Sequence, residues 1–270
     1  MKRLLCGGMV AAAVIGLLAS SDAAAVGPHK INKCITITDP GSYILDTNLA
    51  AIGNCLVITA DHVTIDFDGF KISGNGAGSC VYDNGTFHEG IVIKNGTVRG
   101  CGTGINLGSS AEGKIEEMRV LANSDGNGIS VGSRWIIKNN VIADNDCSGI
   151  NGDDRIVVVQ NVVSGNGCTG IDVSRESVIE QNTAQNNDGD GIRADEASVV
   201  KNNSCSDNTG NGIRTEDGSV IIANACKNNG DVGINVDCPS VVRLNTAISN
   251  TSNDFEFNNS GCSSGDNAPD

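Results

Sequence analysis

The chain of 270 residues has few aromatic side chains, few basic ones and few long apolar segments. One Trp, two Tyr and five Phe are fewer rings than a groove that grips neutral sugars by stacking usually exposes, which argues against a binder of the cellulose or chitin type. Lys and Arg number 18 against 32 Asp and Glu. Because nucleic-acid binding depends on clustered Lys and Arg, the sequence predicts no nucleic-acid partner.

The spacing Cys-x-x-Cys is also absent, which removes the usual zinc and redox motifs. The one extended apolar run, from Leu4 to Ala19, follows Lys2 and Arg3 and precedes three alanines that end at Ala25. This pattern predicts a secretory signal peptide over residues 1–25, with an uncleaved membrane anchor as the alternative. Without residues 1–25, 16 basic and 31 acidic side chains remain, a net charge of −15. We expect a secreted or periplasmic monomer without a membrane partner.

The dipeptide Gly-Ile recurs every 21 residues, and short β-branched runs separated by Asn, Gly, Asp and Ser follow each copy. Such runs are typical of strands, and three strands per repeat can bury a core only if successive repeats stack about 4.8 Å apart. The preferred hand of parallel crossovers is right-handed. The sequence therefore predicts an all-β fold, a single-stranded right-handed parallel β-helix of about ten coils with 21 residues per regular coil. The repeated glycines are Gly128, Gly149, Gly170, Gly191, Gly212 and Gly233.

The repeat also suggests domain boundaries. We expect the β-helix over residues 26–257, with an N-terminal cap and irregular first coils, and a tail or cap over residues 258–270. Phe255 and Phe257 fall where earlier coils carry Ile and Val, as expected of a C-terminal plug. Residues 75–89 are the longest excursion from the repeat, and loops that leave a rigid scaffold often carry function.

Asparagine occupies two coil positions in six successive coils. Stacked identical amides can hydrogen-bond from coil to coil, so we predict structural ladders at the corners, with ligand binding as the alternative role. The first column is Asn140, Asn161, Asn182, Asn203, Asn224 and Asn245, and the second is Asn145, Asn166, Asn187, Asn208, Asn229 and Asn250.

The cysteines follow the same period. Of eleven, Cys6 lies in the predicted signal peptide, and the remaining even number indicates disulfides in a secreted chain. Residues one coil apart lie within bridging distance in a parallel stack. The predicted bridges are Cys34–Cys55, Cys80–Cys101, Cys147–Cys168, Cys205–Cys226 and Cys238–Cys262, with free core thiols as the alternative.

The segments ITDPGSYIL, VTIDFDGFKISG and GIVIKNGTVRG, followed by Gly-Ile coils with N-x-A-x-x-N, resemble bacterial secreted proteins with right-handed parallel β-helix repeats. The resemblance is to the pectate-lyase-like superfamily and covers residues 34–257. It implies the fold, while the same scaffold serves lyases, hydrolases, epimerases and proteins without activity.

Catalytic motifs of that superfamily are missing. Polygalacturonases have N-T-D, D-D, G-H-G and R-I-K, of which this chain has only the pair Asp153-Asp154. Pectate lyases have W-x-D-H, whereas Trp135 is followed by Ile. Alginate epimerases have D-P-H, whereas Asp39 is followed by Pro and Gly. The resemblance therefore transfers no specific activity.

One outward-facing row could still carry chemistry. The third coil position reads Ser130, Asn151, Asp172, Arg193, Arg214 and Asn235. With the pair in the adjoining turn it gives a candidate catalytic patch, Asp153, Asp154, Asp172, Arg193 and Arg214. A lyase would use such carboxylates to hold Ca²⁺ and an Arg to bind a uronate. A solvated face of stacked opposite charges is the alternative.

We expect a disulfide-linked β-helix that interacts with a polysaccharide or has a structural role, without a metal or cofactor. A lyase or hydrolase acting on an acidic polysaccharide is the alternative, with Ca²⁺ if it is a lyase.

Overall fold

The structure is a computed structural model that describes residues 27–269, and the predicted signal peptide lies outside this range. These residues form short parallel strands wound into successive coils. They contain no helix that is long and apolar enough to cross a membrane.

The first eleven strands belong to the irregular coils. They are β1 (His29–Ile31), β2 (Ile35–Ile37), β3 (Gly41–Leu45), β4 (Leu49–Ala50), β5 (Leu56–Ile58), β6 (Val63–Asp66), β7 (Lys71–Ser73), β8 (Ser79–Tyr82), β9 (Val92–Arg99), β10 (Thr103–Leu107) and β11 (Lys114–Leu121).

The regular coils contribute three strands each. They are β12 (Ile129–Val131), β13 (Ile136–Lys138), β14 (Val141–Ala143), β15 (Ile150–Gly152), β16 (Val157–Val159), β17 (Val162–Ser164), β18 (Ile171–Val173), β19 (Val178–Glu180), β20 (Thr183–Gln185), β21 (Ile192–Ala194), β22 (Val199–Lys201), β23 (Ser204–Ser206), β24 (Ile213–Thr215), β25 (Val220–Ile222), β26 (Ala225–Lys227), β27 (Ile234–Asp237), β28 (Val241–Arg243) and β29 (Thr246–Ile248). The chain ends with β30 (Phe255–Asn258) and β31 (Ser263–Gly265).

The strands that contain the Gly-Ile isoleucines form one sheet of eleven strands, which we call the Gly-Ile sheet. Its register follows the repeat, since Ile150 pairs with Ile171 and Ile171 with Ile192. Eleven strands mean about eleven turns, slightly more than the ten expected. The other two faces of the coils join in a sheet of 20 strands.

Alternation along each strand separates core from surface. In β18, Ile171 and Val173 are buried while Asp172 lies between them on the outer face. Phe255 and Phe257 pair with Ile234 and Val236, so they continue the Gly-Ile sheet as its eleventh strand.

Both asparagine columns point inward and are buried over most of their length. Asn161 illustrates the pattern: its backbone N–H and its Nδ2 donate to Asn182 Oδ1 at 2.9 and 3.0 Å, and Nδ2 also donates to Ile137 O at 2.9 Å. The columns are longer than expected. Asn123 donates to Asn145, Asn245 donates to Asn267, and Asp254 accepts from Asn250.

A third ladder occupies the remaining corner. The Oγ atoms of four stacked serines each accept the backbone N–H of the equivalent residue one coil earlier, at 3.1–3.2 Å. The serines are Ser177, Ser198, Ser219 and Ser240. The column is visible in the aligned repeats and was missed. Two corners of the regular coils are therefore bridged by Asn side chains, and the third is bridged by Ser side chains from Ser177 onward, after Trp135 and Ile156.

Four disulfides form: Cys34–Cys55, Cys80–Cys101, Cys147–Cys168 and Cys238–Cys262. The expected fifth bridge does not, because Cys205 and Cys226 are buried free thiols. They are in-register partners on β23 and β26. Parallel in-register strands hold Cβ atoms about 4.8 Å apart, whereas a disulfide needs about 3.5–4.5 Å. Each bridged pair has at least one member outside a strand.

Residues 258–269 continue the stack. Strand β31 pairs with β28, and Ala268 forms a bridge with Thr246. The segment expected as a tail or cap thus covers part of the open edge of the last coil.

Candidate functional site

Two members of the candidate patch, Asp153 and Asp154, lie in the turn after a strand of the Gly-Ile sheet, and the other three lie on such strands. In the regular coils the turns after these strands line a groove of about 230 Å³, which we call the acidic groove. Its lining residues are Asp154, Ser174, Arg175, Asp195, Glu196 and Glu216.

Two members of the patch meet beside this groove. Asp172 and Arg193 are cross-strand partners on β18 and β21, with Nε and Oδ1 3.9 Å apart. Arg193 Nη2 also lies 3.8 Å from Asp195 Oδ1. Arg214 follows Arg193 on the next strand and forms no ion pair within residues 27–269. The row therefore presents two guanidinium groups, that of Arg193 between two carboxylates and that of Arg214 without an ion pair to the described residues.

Two carboxyl groups here have raised pKa values. Desolvation raises the pKa of Asp172, and the Arg193 charge opposes this only in part because Asp195 and Asp190 add negative charge. Desolvation also raises the pKa of Glu216, followed by the charges of neighbouring carboxylates. A carboxyl that retains its proton closer to neutral pH can act as a general acid.

The adjacent residues Asp153 and Asp154 line different grooves. Asp154 Oδ2 accepts from Arg175 Nε at 3.1 Å in the acidic groove. Asp153 instead lines a second groove of about 250 Å³, which we call the loop groove. Its other lining residues are Phe87, Gly108, Ser109, Ser110, Ala111, Gly132, Ser133 and Arg134.

The loop groove lies between residues 83–89 and the turns of the coils that follow them. His88 Nδ1 lies 3.3 Å from Asp61 Oδ1 and Nε2 lies 2.8 Å from Thr86 Oγ1. The pKa of Asp61 is lowered, first by the backbone N–H of Glu89 that donates to it and then by His88. Asp61 is thus an anchor for the loop as well as a turn residue. The long 75–89 excursion signalled a loop, but its contacts and the role of Phe87 were not predicted.

Across residues 27–269, no three His, Cys, Asp or Glu side chains converge where they could hold an ion. The described site offers carboxylates, guanidinium groups and hydroxyls, which suit hydrogen bonding to a sugar chain and proton transfer to or from it.

Solved structures of polysaccharide-modifying enzymes have similar folds. The A-module of a mannuronan C-5 epimerase from Azotobacter vinelandii superposes with a TM-score of 0.61 at 16% identity, over 90% of this chain and 89% of that one. A periplasmic alginate epimerase gives a TM-score of 0.54 at 17% identity, over 77% of this chain and 66% of that one. At such identities the likeness shows the fold alone.

The catalytic unit of an α-1,3-glucanase from Streptomyces thermodiastaticus gives a TM-score of 0.53 at 14% identity. The match covers 87% of this chain and 62% of the glucanase unit. A search of curated protein sequences found no significant match. Residues 33–178 match the family model described as "right handed beta helix region", which is more than half of the chain. The chain therefore belongs to the right-handed β-helix family.

Proposed function

We propose that this protein works outside the cytoplasm and binds a polysaccharide lengthwise across the turns that follow the Gly-Ile sheet. Four disulfides support an extracellular or periplasmic location, because such bridges persist in oxidising compartments. β-Helix neighbours that act on alginate or glucan support a polysaccharide as the ligand.

One observation carries the proposal: the two grooves lie on the same corner in consecutive coils. The loop groove ends at Asp153 and the acidic groove begins at Asp154. Together they run from Ser109 to Glu216, across six coils and thus about 24 Å at the spacing of parallel strands. Two grooves in line over this length, which we call the channel, suit an extended chain better than a small ligand.

The test is glycan binding by the mature protein, measured by calorimetry against a panel of acidic and neutral oligosaccharides. Asp195→Ala should weaken binding of the ligand about tenfold, as expected for a lost charge-assisted hydrogen bond. Glu180→Ala is the control, because Glu180 pairs with Lys201 on a different face. No binding to any member of the panel would reject the proposal.

A second candidate function is cleavage of the bound chain by a lyase or hydrolase. The raised pKa values of Asp172 and Glu216 beside Arg193 favour it, because a protonated carboxyl can donate to a leaving-group oxygen. Incubation with acidic and neutral polysaccharides, with and without Ca²⁺, should then release reducing ends or unsaturated uronates.

Glu216→Gln and Asp172→Asn separate the two candidates. Either variant should lose at least a hundredfold in cleavage rate while still binding, if its carboxyl is the proton donor. Binding without turnover by the unmodified protein would leave the first candidate alone. A Ca²⁺ requirement would indicate that the ion is held jointly with substrate carboxylates.

A further inference from the structure

Phe87 is the most informative exposed side chain of the irregular coils. It is 63% exposed, whereas Phe67, in the preceding coil, is fully buried. An isolated exposed apolar residue is common and needs no explanation on a mobile loop. Phe87 differs because the residues around it are fixed by hydrogen bonds on both sides.

Asp83 fixes the loop at its start. This buried carboxylate, 1% exposed, accepts from Gly85 N through Oδ1 at 3.0 Å. Its Oδ2 accepts from Ser109 N at 2.9 Å and from Ser110 Oγ at 3.0 Å. The carboxylate thus ties the loop to the following coil, and charge-assisted hydrogen bonds of this kind are among the stronger ones in proteins.

His88 fixes the loop at its end. Both ring nitrogens are engaged, with Asp61 and with Thr86, and the backbone carbonyl of His88 accepts from Ala111 N at 2.9 Å. Glu89 N donates to Asp61 at 3.1 Å. Phe87 therefore sits between two anchored positions and is held out over the loop groove rather than left to collapse onto the coils.

The opposite side of the loop groove is polar and rests on a rigid base. The Asp153 carboxylate lies there without a side-chain hydrogen bond or ion pair within residues 27–269, while its backbone N–H donates to Val131 O. Desolvation, followed by the Asp154 charge, raises the pKa of Asp153. Arg134 lies beside it and donates to Glu112 at 2.8 Å. Beneath them the fully buried Trp135 donates from Nε1 to Ser110 O at 2.9 Å.

The dimensions and charges of the groove restrict its ligand. At about 250 Å³ it is below the roughly 300–1,000 Å³ of sites for drug-sized molecules, which suits one ring of a longer chain. An exposed aromatic face opposite a free carboxylate can stack on C–H groups while accepting from hydroxyls. A uronate carboxylate would be repelled by Asp153, since the one guanidinium nearby is shared with Glu112.

We propose that the loop groove is a subsite for one uncharged pyranose ring, which stacks on Phe87 and donates hydroxyl hydrogens to Asp153. The proposal rests on the polysaccharide-binding function and specifies the class of ring at one end of the channel. Phe87 is the one aromatic residue among those that line the two grooves, so stacking on a sugar ring is limited to this position of the channel.

Calorimetric titration of the mature protein with neutral and uronate oligosaccharides tests the subsite. A neutral oligosaccharide should bind, Phe87→Ala should weaken it about tenfold, and Phe87→Trp should restore it, because stacking needs a ring rather than hydrophobicity alone. Phe87→Leu should resemble the alanine variant. Ile52→Ala is the control, since Ile52 is 89% exposed and lies outside both grooves.

The subsite would be overturned if Phe87→Ala leaves the affinity for the neutral oligosaccharide unchanged, or if only uronate oligosaccharides bind. In either case a loss of affinity in Asp195→Ala would show that the proposed channel still holds. Absence of binding to either class would overturn both proposals. These substitutions change exposed side chains, so circular dichroism and thermal unfolding should match those of the unmodified protein.

His88 is a positioning residue for this subsite. His88→Ala should reduce affinity for the neutral oligosaccharide several-fold in the unmodified background and have no further effect when Phe87 is already Ala. Increased amide exchange at residues 83–89 in His88→Ala should accompany the loss. Additive effects of the two substitutions would show that His88 does not act through Phe87.

Discussion

The coils before residue 128 and those from 128 to 250 fill their corners in different ways. In the regular coils two corners carry columns of Asn that hydrogen-bond to the next coil, and the third carries a column of Ser from Ser177 onward. In the earlier coils Asn123 extends one column by a single residue, and individual apolar side chains stand at other corners: Met118 lies one coil before Asn140, and Phe67 packs against Gly96. A Cβ at Gly96 would collide with Phe67, so this corner has no room for an amide column.

The difference affects where loops can leave the stack. A ladder requires the same residue in every coil, and an inserted loop would separate its members. Corners filled by single side chains make no such demand. The 75–89 excursion arises in the earlier coils, and the loop groove forms where it meets the regular ones.

The largest expected effect concerns the disulfides. Cys34–Cys55 and Cys80–Cys101 lie in the coils without ladders. Replacing these four cysteines with Ala should lower the free energy of unfolding by about 6 kcal/mol, since the chain-entropy model gives roughly 3 kcal/mol for each of the two loops. Because a solenoid can unfold locally, hydrogen exchange should accelerate before residue 128 and much less after it. Uniform acceleration along the chain would contradict the comparison.

Thiol counting is the control for this experiment. Denatured but unreduced protein lacking residues 1–25 should expose two thiols, those of Cys205 and Cys226. In the native protein neither thiol should react with a thiol reagent, because both are buried. Burial also raises the pKa of the Cys226 thiol. A count of zero after denaturation would show a fifth bridge.

Phe67→Ala should lower the free energy of unfolding by about 3–5 kcal/mol, because removal of the buried ring leaves a cavity in the core. Phe67→Leu should recover much of this loss, because an apolar side chain can partly refill the space. The free energy of unfolding from urea titration measures both. Equal losses for Ala and Leu would mean that the corner is not held by packing.

Asn182→Ala should cost about 3–4 kcal/mol for a different reason, because it leaves several buried donors and acceptors unpaired. Asn182→Leu should not restore stability. The matched control is Gln181→Ala, whose amide bonds Gln160 at the surface and should contribute less than about 0.5 kcal/mol. Similar losses at 181 and 182 would remove the energetic argument for the ladder.

The smallest effect is a pH dependence of opposite sign in the two regions. The pKa of Asp172 is raised, so the folded state holds its proton more tightly and stability falls as pH rises above the unfolded value of about 3.9. Asp172→Asn should therefore gain less than about 1 kcal/mol at pH 7, and the gain should shrink on acidification.

Asp66 in the earlier coils should behave oppositely. Desolvation there is outweighed by hydrogen bonds from Asp68 N, Lys94 and Asn95, which lower its pKa. Asp66→Asn should lose stability at pH 7, and the loss should fade as pH falls through the lowered pKa. Thermal unfolding between pH 3 and 7 measures both variants, and slopes of the same sign would contradict the assignment.

The sequence was sufficient for features that depend on the period alone. The Gly-Ile spacing predicted the register of the regular coils, and the 21-residue separation predicted that Asp172 lies beside Arg193. The sequence was insufficient where the local backbone conformation determines whether two side chains can interact. Cys205 and Cys226 share a column, but only their position inside strands keeps the sulfurs from bridging.

The candidate site shows the same limit. Asp153 and Asp154 are adjacent in sequence, yet the turn directs them into different grooves. Asp61 and His88 lie on adjacent stacked coils but are 27 residues apart, because the coil between them is longer than the 21-residue repeat. Such contacts depend on the path of one irregular segment, which composition and spacing do not encode.

The ladders also determine which changes in chain length this protein can accommodate. Between Asn140 and Asn250, successive ladder residues that hydrogen-bond to each other are 21 positions apart, and the serine column has the same period. Duplication or deletion of one whole repeat keeps all three columns in phase, whereas a shift by any other number of residues misaligns all of them together. Lengthening by gene duplication is thus available in steps of one coil, and the length of the proposed polysaccharide channel would grow or shrink in the same steps.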